Sequence, residues 1–204
     1  MIAVIDYGMG NLRSVHKALE SLGADARVIS DAEQLSLADK VVLPGVGAFK
    51  DTIAGLDARG LRGALCEFIG SGRPYLGICM GFQAIFEHSE EGGRHEGLGV
   101  LKGGVRRFRA VSSRKVPHIG WNQVRFRAGM ERCPLFKGVG DNSYFYFDHS
   151  YYVVPEEDAV IAATTDYGIE FASMIWKDNI FAVQFHPEKS QEIGLRMLRN
   201  FTEL

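Results

Sequence analysis

Cysteine is scarce in this chain, with three in 204 residues. Cys66, Cys79 and Cys133 form no CxxC pair and are odd in number, which argues against a disulfide framework or a structural zinc site. A reducing cytoplasm is the compartment this usage suits. No apolar run approaches the length of a membrane span, and the opening MIAVIDYG lacks a basic leader and is interrupted by Asp6. An unexported protein with no membrane contact is therefore expected. Charge of neither sign dominates: 23 Lys and Arg stand against 25 Asp and Glu, so a net charge of -2 gives no support to a nucleic-acid partner. The glycine-rich stretches DYGMGN and PGVG lack a following GKS or GKT, and no GxGxxG occurs, which disfavours a nucleotide phosphate loop. Repeats, low-complexity tracts and linkers are absent too. The length suits one domain, residues 1–204, able to bury a core without staples.

What is present reads as α/β. IAVID, ARVI, KVVLPG and PYLGIC are short apolar or β-branched runs bounded by Gly, Pro or Asp, as buried strands are. Between them NLRSVHKALESLG sets Leu12, Val15, Leu19 and Leu22 at helical spacing and stops at Gly23, and FKDTIAGLDARGLRGALCEFIGSG continues in the helical manner. Such alternation predicts a mostly parallel sheet with helices on both faces and a site beyond the strands' C-terminal ends. After about residue 98 the pattern changes to VLKGGVRRFRA, NQVRFRA, SYFYFDHSYYVV, AVIAATT, FASMIWK and IFAVQFHP, which read as added antiparallel hairpins. The chain closes on a helical pattern in QEIGLRMLRNFTEL, and the two halves are expected to share one mixed sheet.

In YLGICMGFQ one cysteine stands between two glycines, after a strand and before FQAIFEH, which suits a helix. A tight strand-to-helix turn needs small residues at Gly77 and Gly81 to lift the central side chain clear. Cys79 would then sit at the sheet rim near a helix N-terminus, with the Met80 amide aimed at a developing oxyanion. The competing reading is a small buried apolar residue, as most free cysteines are. Cys66 fits that reading within its helical pattern, and Cys133 before Pro134 reads as a loop residue.

A nucleophilic cysteine needs a base and a group that orients the base. AVQFHPEKS supplies His186 and Glu188 at the end of a strand, two residues apart; spacing alone leaves His149 open as the base. A second oxyanion donor is available from VVLPGVGAF, where the amide of Val46 or Gly47 can approach a carbonyl oxygen. No cluster with metal-ligand spacing is found, and the chemistry calls for no metal or other cofactor.

PGVGAF, LGICMGFQ and VQFHPEKS, in that order, resemble the class I, triad-type glutamine amidotransferases. DYGMGNLRSV, PHIGWN and YFYFDHSYY narrow the resemblance to the glutaminase subunits of imidazole glycerol phosphate synthases, over nearly the whole chain. The resemblance implies a flavodoxin-like α/β fold with added β-hairpins, and glutamine as substrate. It implies Cys79 as nucleophile, His186 as general acid and base, Glu188 as orienting carboxylate, and Val46, Gly47 and Met80 as oxyanion donors. Gly45, Gln83, Glu91, His149, Ser150 and Tyr151 fall where the family contacts glutamine. The implied partner is a (β/α)₈-barrel synthase subunit that receives ammonia, with Asn11, Trp121, Tyr146 and Lys189 near the docking face; from residue type alone, Trp121 and Tyr146 read equally as core. A paralogous glutaminase feeding another synthase is the alternative.

Two features depart from or exceed the resemblance. Asp148 stands where the family has an apolar residue, so an altered substrate loop or a raised His149 pKa is expected. RRFRAVSSRK is either a solvated hairpin or a basic surface steering an acidic partner rim.

Overall fold

The computed structural model describes residues 1–9, 11–110 and 115–204. Four parallel strands build the first half: β1 (Ile2–Ile5), β2 (Ala26–Ile29), β3 (Lys40–Gly45) and β4 (Tyr75–Cys79). The helices α1 (Leu12–Ser21), α2 (Ala32–Ser36), α3 (Phe49–Ala58) and α4 (Leu61–Gly70) connect them.

Successive residues on a strand face opposite sides, and the two cores follow that alternation. Ala3, Ile5, Val41 and Leu43 pack with Phe49, Ile53, Leu56, Leu65 and Phe68 of α3 and α4. Ile2, Val4 and Val42 pack instead with Val15 and Leu19 of α1 and with Met197, Leu198 and Phe201 of the C-terminal helix. The sheet is thus covered on both faces, which explains why these strands are apolar throughout.

Nine further strands extend the sheet: β5 (Phe86–Ser89), β6 (His95–Glu96), β7 (Leu101–Arg107), β8 (His118–Phe126), β9 (Ser143–His149), β10 (Tyr151–Pro155), β11 (Ile161–Asp166), β12 (Glu170–Lys177) and β13 (Ile180–Val183). Two more helices complete the described residues, α5 (Met80–Ala84) and α6 (Gln191–Thr202). The strand order is β2-β1-β3-β4-β13-β12-β10-β7-β5-β6, with β11, β8 and β9 branching from β12. One mixed sheet therefore runs through both halves, as the strand pattern leads one to expect.

Three local expectations are corrected. The long helical pattern from Phe49 divides at Gly60, whose φ of +64° ends α3 and starts α4. FQAIFEH yields only the short α5, because Phe86 is drawn into pairing with Leu101 on β7 and becomes a strand; long-range pairing overrides local helical preference. The last strand is not simply half of a hairpin: β13 is antiparallel to β12 but parallel to β4, which carries the chain back to the centre of the sheet. Of the basic stretch, Arg106 and Arg107 end β7 with exposed side chains, while residues 111–114 lie outside the described residues.

Candidate active site

β4 delivers Cys79 with φ +53° and ψ -100°, a sparsely populated conformation for a residue with a Cβ, which costs roughly 1–3 kcal/mol. The flanking glycines make that turn possible. A Cβ on Gly77 would stand 2.7 Å from the Gly81 carbonyl oxygen, and one on Gly81 would overlap the Leu43 carbonyl. The strand-to-helix elbow is present, with a helix of five residues rather than a long one.

Sheet register brings the other parts to this rim. Gly45 pairs with Cys79 across β3 and β4, so the PGVG loop begins beside the thiol, and Gly47 adopts φ +96°. Val183 pairs with Ile78 across β13 and β4, so Gln184, Phe185 and His186 follow along the same edge. His186 is buried; its Nδ1 lies 2.8 Å from Glu188 Oε1. Pro187–Lys189 forms a 3-10 turn that places Glu188 beneath the ring. His186 is also fixed through its backbone: its N–H donates to the Tyr146 carbonyl at 2.8 Å, and its own carbonyl accepts from the Ser190 hydroxyl at 2.6 Å.

Burial opposes a charged His186 imidazolium, but a Cys79 thiolate, through its charge and its hydrogen bond, together with Glu188 outweighs that cost and raises the pKa from 6.5 to about 10. The arrangement therefore favours a protonated His186 beside Cys79, with Glu188 holding the ring. Cys66 and Cys133 have no such surroundings. Cys66 is half-buried on α4 with its thiol pKa raised by burial, and Cys133 is a core residue whose thiol burial pushes to about 12. The loop position of Cys133 thus conceals a buried side chain.

A pocket of about 260 Å³ opens beside Cys79, lined by Val46, Gly47, Met80, Gln83, Glu91 and the segment Asp148–Tyr151 among others. The proposed oxyanion and substrate residues are therefore brought together, except that Gly45 lies behind the wall in β3. Glu91 Oε2 accepts from the Phe49 amide at 2.7 Å, tying the start of α3 to the loop after β5. The Gln83 amide nitrogen donates to the Tyr151 carbonyl at 3.1 Å, and its buried Oε1 has no partner among the described residues.

His149 is not a rival base. Its Nδ1 lies 2.7 Å from the Tyr151 carbonyl and its Nε2 lies 2.9 Å from Nδ1 of His118, so both ring nitrogens are engaged. Its pKa is lowered to about 3, chiefly by burial, against the raising effect of the Tyr151 carbonyl. The expected rise from Asp148 does not occur, because the Asp148 side chain turns outward into solvent while His149 turns inward from the same strand.

Trp121, Tyr146 and Lys189 form one surface group. Trp121 is 46% exposed and meets Tyr146 edge to face at 6.2 Å, and Lys189 Nζ lies 5.5 Å from the Tyr146 ring. The core reading of Trp121 is thereby corrected. Ile119 and Tyr144 extend the exposed apolar face along the β8–β9 hairpin. Asn11 precedes α1, which packs beside the Pro187–Lys189 turn, and accepts from the Ser14 hydroxyl at 2.9 Å.

Sequence reasoning missed Gln184, which touches the Cys79 sulfur, Ser190, which braces His186, and Asn122, which contacts His118. For Gln184 the available signal was a polar residue directly after the apolar strand IFAV.

The family model for class-I glutamine amidotransferases matches residues 3–204. An imidazole glycerol phosphate synthase subunit HisH from Syntrophotalea carbinolica is 50% identical, covering 100% of both chains. The protein of the same description from Moorella thermoacetica is 53% identical over 100% of this chain and 94% of its own. Among solved structures, one described as a glutamine amidotransferase aligns with TM-score 0.73 at 18% identity over 100% of both chains. The PurLQS structure from Thermotoga maritima aligns with TM-score 0.73 at 17% identity over 99% of this chain and 95% of its own. At these identities the structural likeness is one of fold.

Proposed function

Because the chain belongs to the class-I glutamine amidotransferase family, we propose that it is the glutaminase subunit of an imidazole glycerol phosphate synthase. In this reading it works as one domain in the cytoplasm and supplies ammonia for histidine biosynthesis. The observation that carries the reading is the buried Cys79–His186–Glu188 constellation, whose Cys79 lines the pocket, with the His186 pKa raised to about 10.

Glutamine enters with its side-chain amide against Cys79. The thiolate attacks the amide carbon, and the oxyanion that forms is met by backbone N–H groups of the PGVG loop, from Val46 or Gly47, and of Met80. His186 gives its proton to the departing nitrogen, which leaves as ammonia, and a thioester remains on Cys79. Water then adds to the thioester as His186 takes a proton back; the carbon–sulfur bond breaks, glutamate leaves and the thiolate returns. Glu188 keeps Nε2 of His186 turned toward this chemistry by accepting from Nδ1. Gln83, Glu91, His149, Ser150 and Tyr151 line the pocket and shape the substrate's site.

Ammonia is useful only if it reaches an acceptor, and the exposed group of Trp121, Tyr146 and Lys189, flanked by Asn11, supports docking of a (β/α)₈-barrel synthase subunit as a heterodimer through which ammonia is channelled. Aromatic side chains of this kind anchor interfaces. The lyase step belongs to that partner. Among the described residues no helix is long and apolar enough to cross a membrane.

The test is conversion of glutamine to glutamate by the full chain, alone and mixed with a barrel-type synthase subunit and its nucleotide ligand, with Cys79→Ala as control. Cysteine-dependent activity stimulated by that subunit is expected. Activity that ignores it would point to a different acceptor, and activity in Cys79→Ala would overturn the mechanism.

A further inference from the structure

Gln184 follows β13, and its side chain is fully buried between the nucleophile and the substrate wall. Its Nε2 lies 3.6 Å from Cys79 Sγ, and its Oε1 lies 3.0 Å from Gln83 Nε2. Which end of an amide faces a sulfur is settled by the hydrogen-bond network, and here the network has a fixed anchor. The Tyr151 carbonyl can only accept, and it takes Gln83 Nε2 at 3.1 Å and His149 Nδ1 at 2.7 Å. Gln83 must therefore present its amino group to this side. Gln184 then faces Gln83 with oxygen and Cys79 with N–H. Reversing it would oppose two amino groups and set an amide oxygen against the thiolate.

We infer that Gln184 is a further catalytic residue of this site, its Nε2–H donating to the Cys79 sulfur and holding that atom as a thiolate. The same bond serves twice, at attack on the amide and when the sulfur leaves the thioester adduct. A backbone acceptor also lies near the sulfur, the Asp148 carbonyl at 3.9 Å, which favours the protonated thiol. A donor to the sulfur offsets it. An apolar side chain of similar shape would fill the space in a buried strand end; burying an amide instead costs free energy unless both of its ends are used, and both are.

The inference rests on Cys79 being the nucleophile, and the two can fail separately. Alkylation of Cys79 by iodoacetamide, followed by peptide mass spectrometry across pH in the full chain, reads the thiolate directly; Cys66 and Cys133 in the same digest report on folding. A hydrogen bond to a charged group implies that Gln184→Met raises the pH midpoint of Cys79 alkylation by about one to two units and lowers kcat roughly 10- to 100-fold, with a smaller change in KM. In the wild-type chain, the side-chain amide protons of isotope-labelled Gln184 are expected to shift with the Cys79 midpoint, and to lose that dependence in Cys79→Ser. An unmoved midpoint in a folded Gln184→Met, or Gln184 amide protons indifferent to Cys79 ionisation, would overturn the role of Gln184 while leaving Cys79 as nucleophile. Glutaminase activity in Cys79→Ala would overturn both.

Discussion

Nδ1 of His118 lies 2.9 Å from Nε2 of His149, both rings are buried, and each is held neutral by its surroundings. His149 Nδ1 donates to the Tyr151 carbonyl, so its Nε2 accepts and His118 carries its proton on Nδ1. Asn122 then donates to His118 Nε2 at 3.2 Å and to the Asp166 carbonyl at 2.9 Å. The polar chain ends at the backbone of the substrate wall.

This pair makes acid the weak side of the fold. Burial lowers the pKa of His118 to about 4 and of His149 to about 3, from 6.5 for each. The unfolded chain thus binds more protons than the folded one below 6.5, and stability falls as pH drops from there toward 4 and 3. Urea midpoints measured from pH 7 to 4 should decline, and the decline should be shallower in His118→Phe. A pH-independent midpoint would contradict the assignment of two neutral imidazoles.

His186 carries the opposite sign, since its raised pKa contributes stability that is full below 6.5 and fades as pH climbs through about 10. The largest raising influence is Cys79. In Cys79→Ser the His186 pKa should fall from about 10, because burial still opposes the charge and only Glu188 remains to support it. Histidine resonances followed by NMR titration would read this, and an unchanged His186 would mean that no thiolate–imidazolium pair exists.

Glu188→Gln keeps the shape beneath His186 but can present an amide to Nδ1, so the imidazole is free to take the wrong tautomer. A loss in kcat of up to about 10⁴-fold is expected, with KM for glutamine little changed. Steady-state kinetics with the barrel subunit present would check it; near wild-type turnover would remove Glu188 from the machinery.

Trp121→Ala removes the exposed ring that packs against Tyr146. As an interface anchor its truncation should weaken binding of the barrel subunit by about 2 kcal/mol, or roughly 30-fold in Kd, with the stability of the isolated chain nearly unchanged. Titration calorimetry and thermal unfolding together distinguish this from a packing defect, which would lower Tm and leave Kd alone.

Gly81→Ala tests the elbow itself. The added methyl would collide with the Leu43 carbonyl in a packed sheet, so a destabilisation of about 1–3 kcal/mol or more is expected, with glutaminase activity lost as Cys79 is displaced. Denaturant unfolding and Cys79 alkylation rates would show both effects.

Much of this was legible in order along the chain. The spacing of Leu12, Val15 and Leu19, the apolar runs around Val4, Val42 and Ile78, and glycines on either side of Cys79 are local signals, and each reports a constraint on its own segment: a helix face, a doubly buried strand, a turn with no room for a Cβ. His186 and Glu188 were readable because both sit in one short segment.

What the sequence by itself determined was therefore the alternation of strands and helices, the elbow at Cys79 and the candidate groups for the chemistry. Only the tertiary structure decided that β13 returns to lie beside β4, that Phe86 joins a strand, that His149 is paired with His118 rather than with Cys79, and that Gln184 points its amide at the sulfur. The physical reason is range. A dihedral preference or a hydrophobic period acts over a few residues, whereas Gln184 and Cys79 meet only because strand pairing closes a loop of more than a hundred residues, and no local pattern encodes which buried polar groups will be left facing each other.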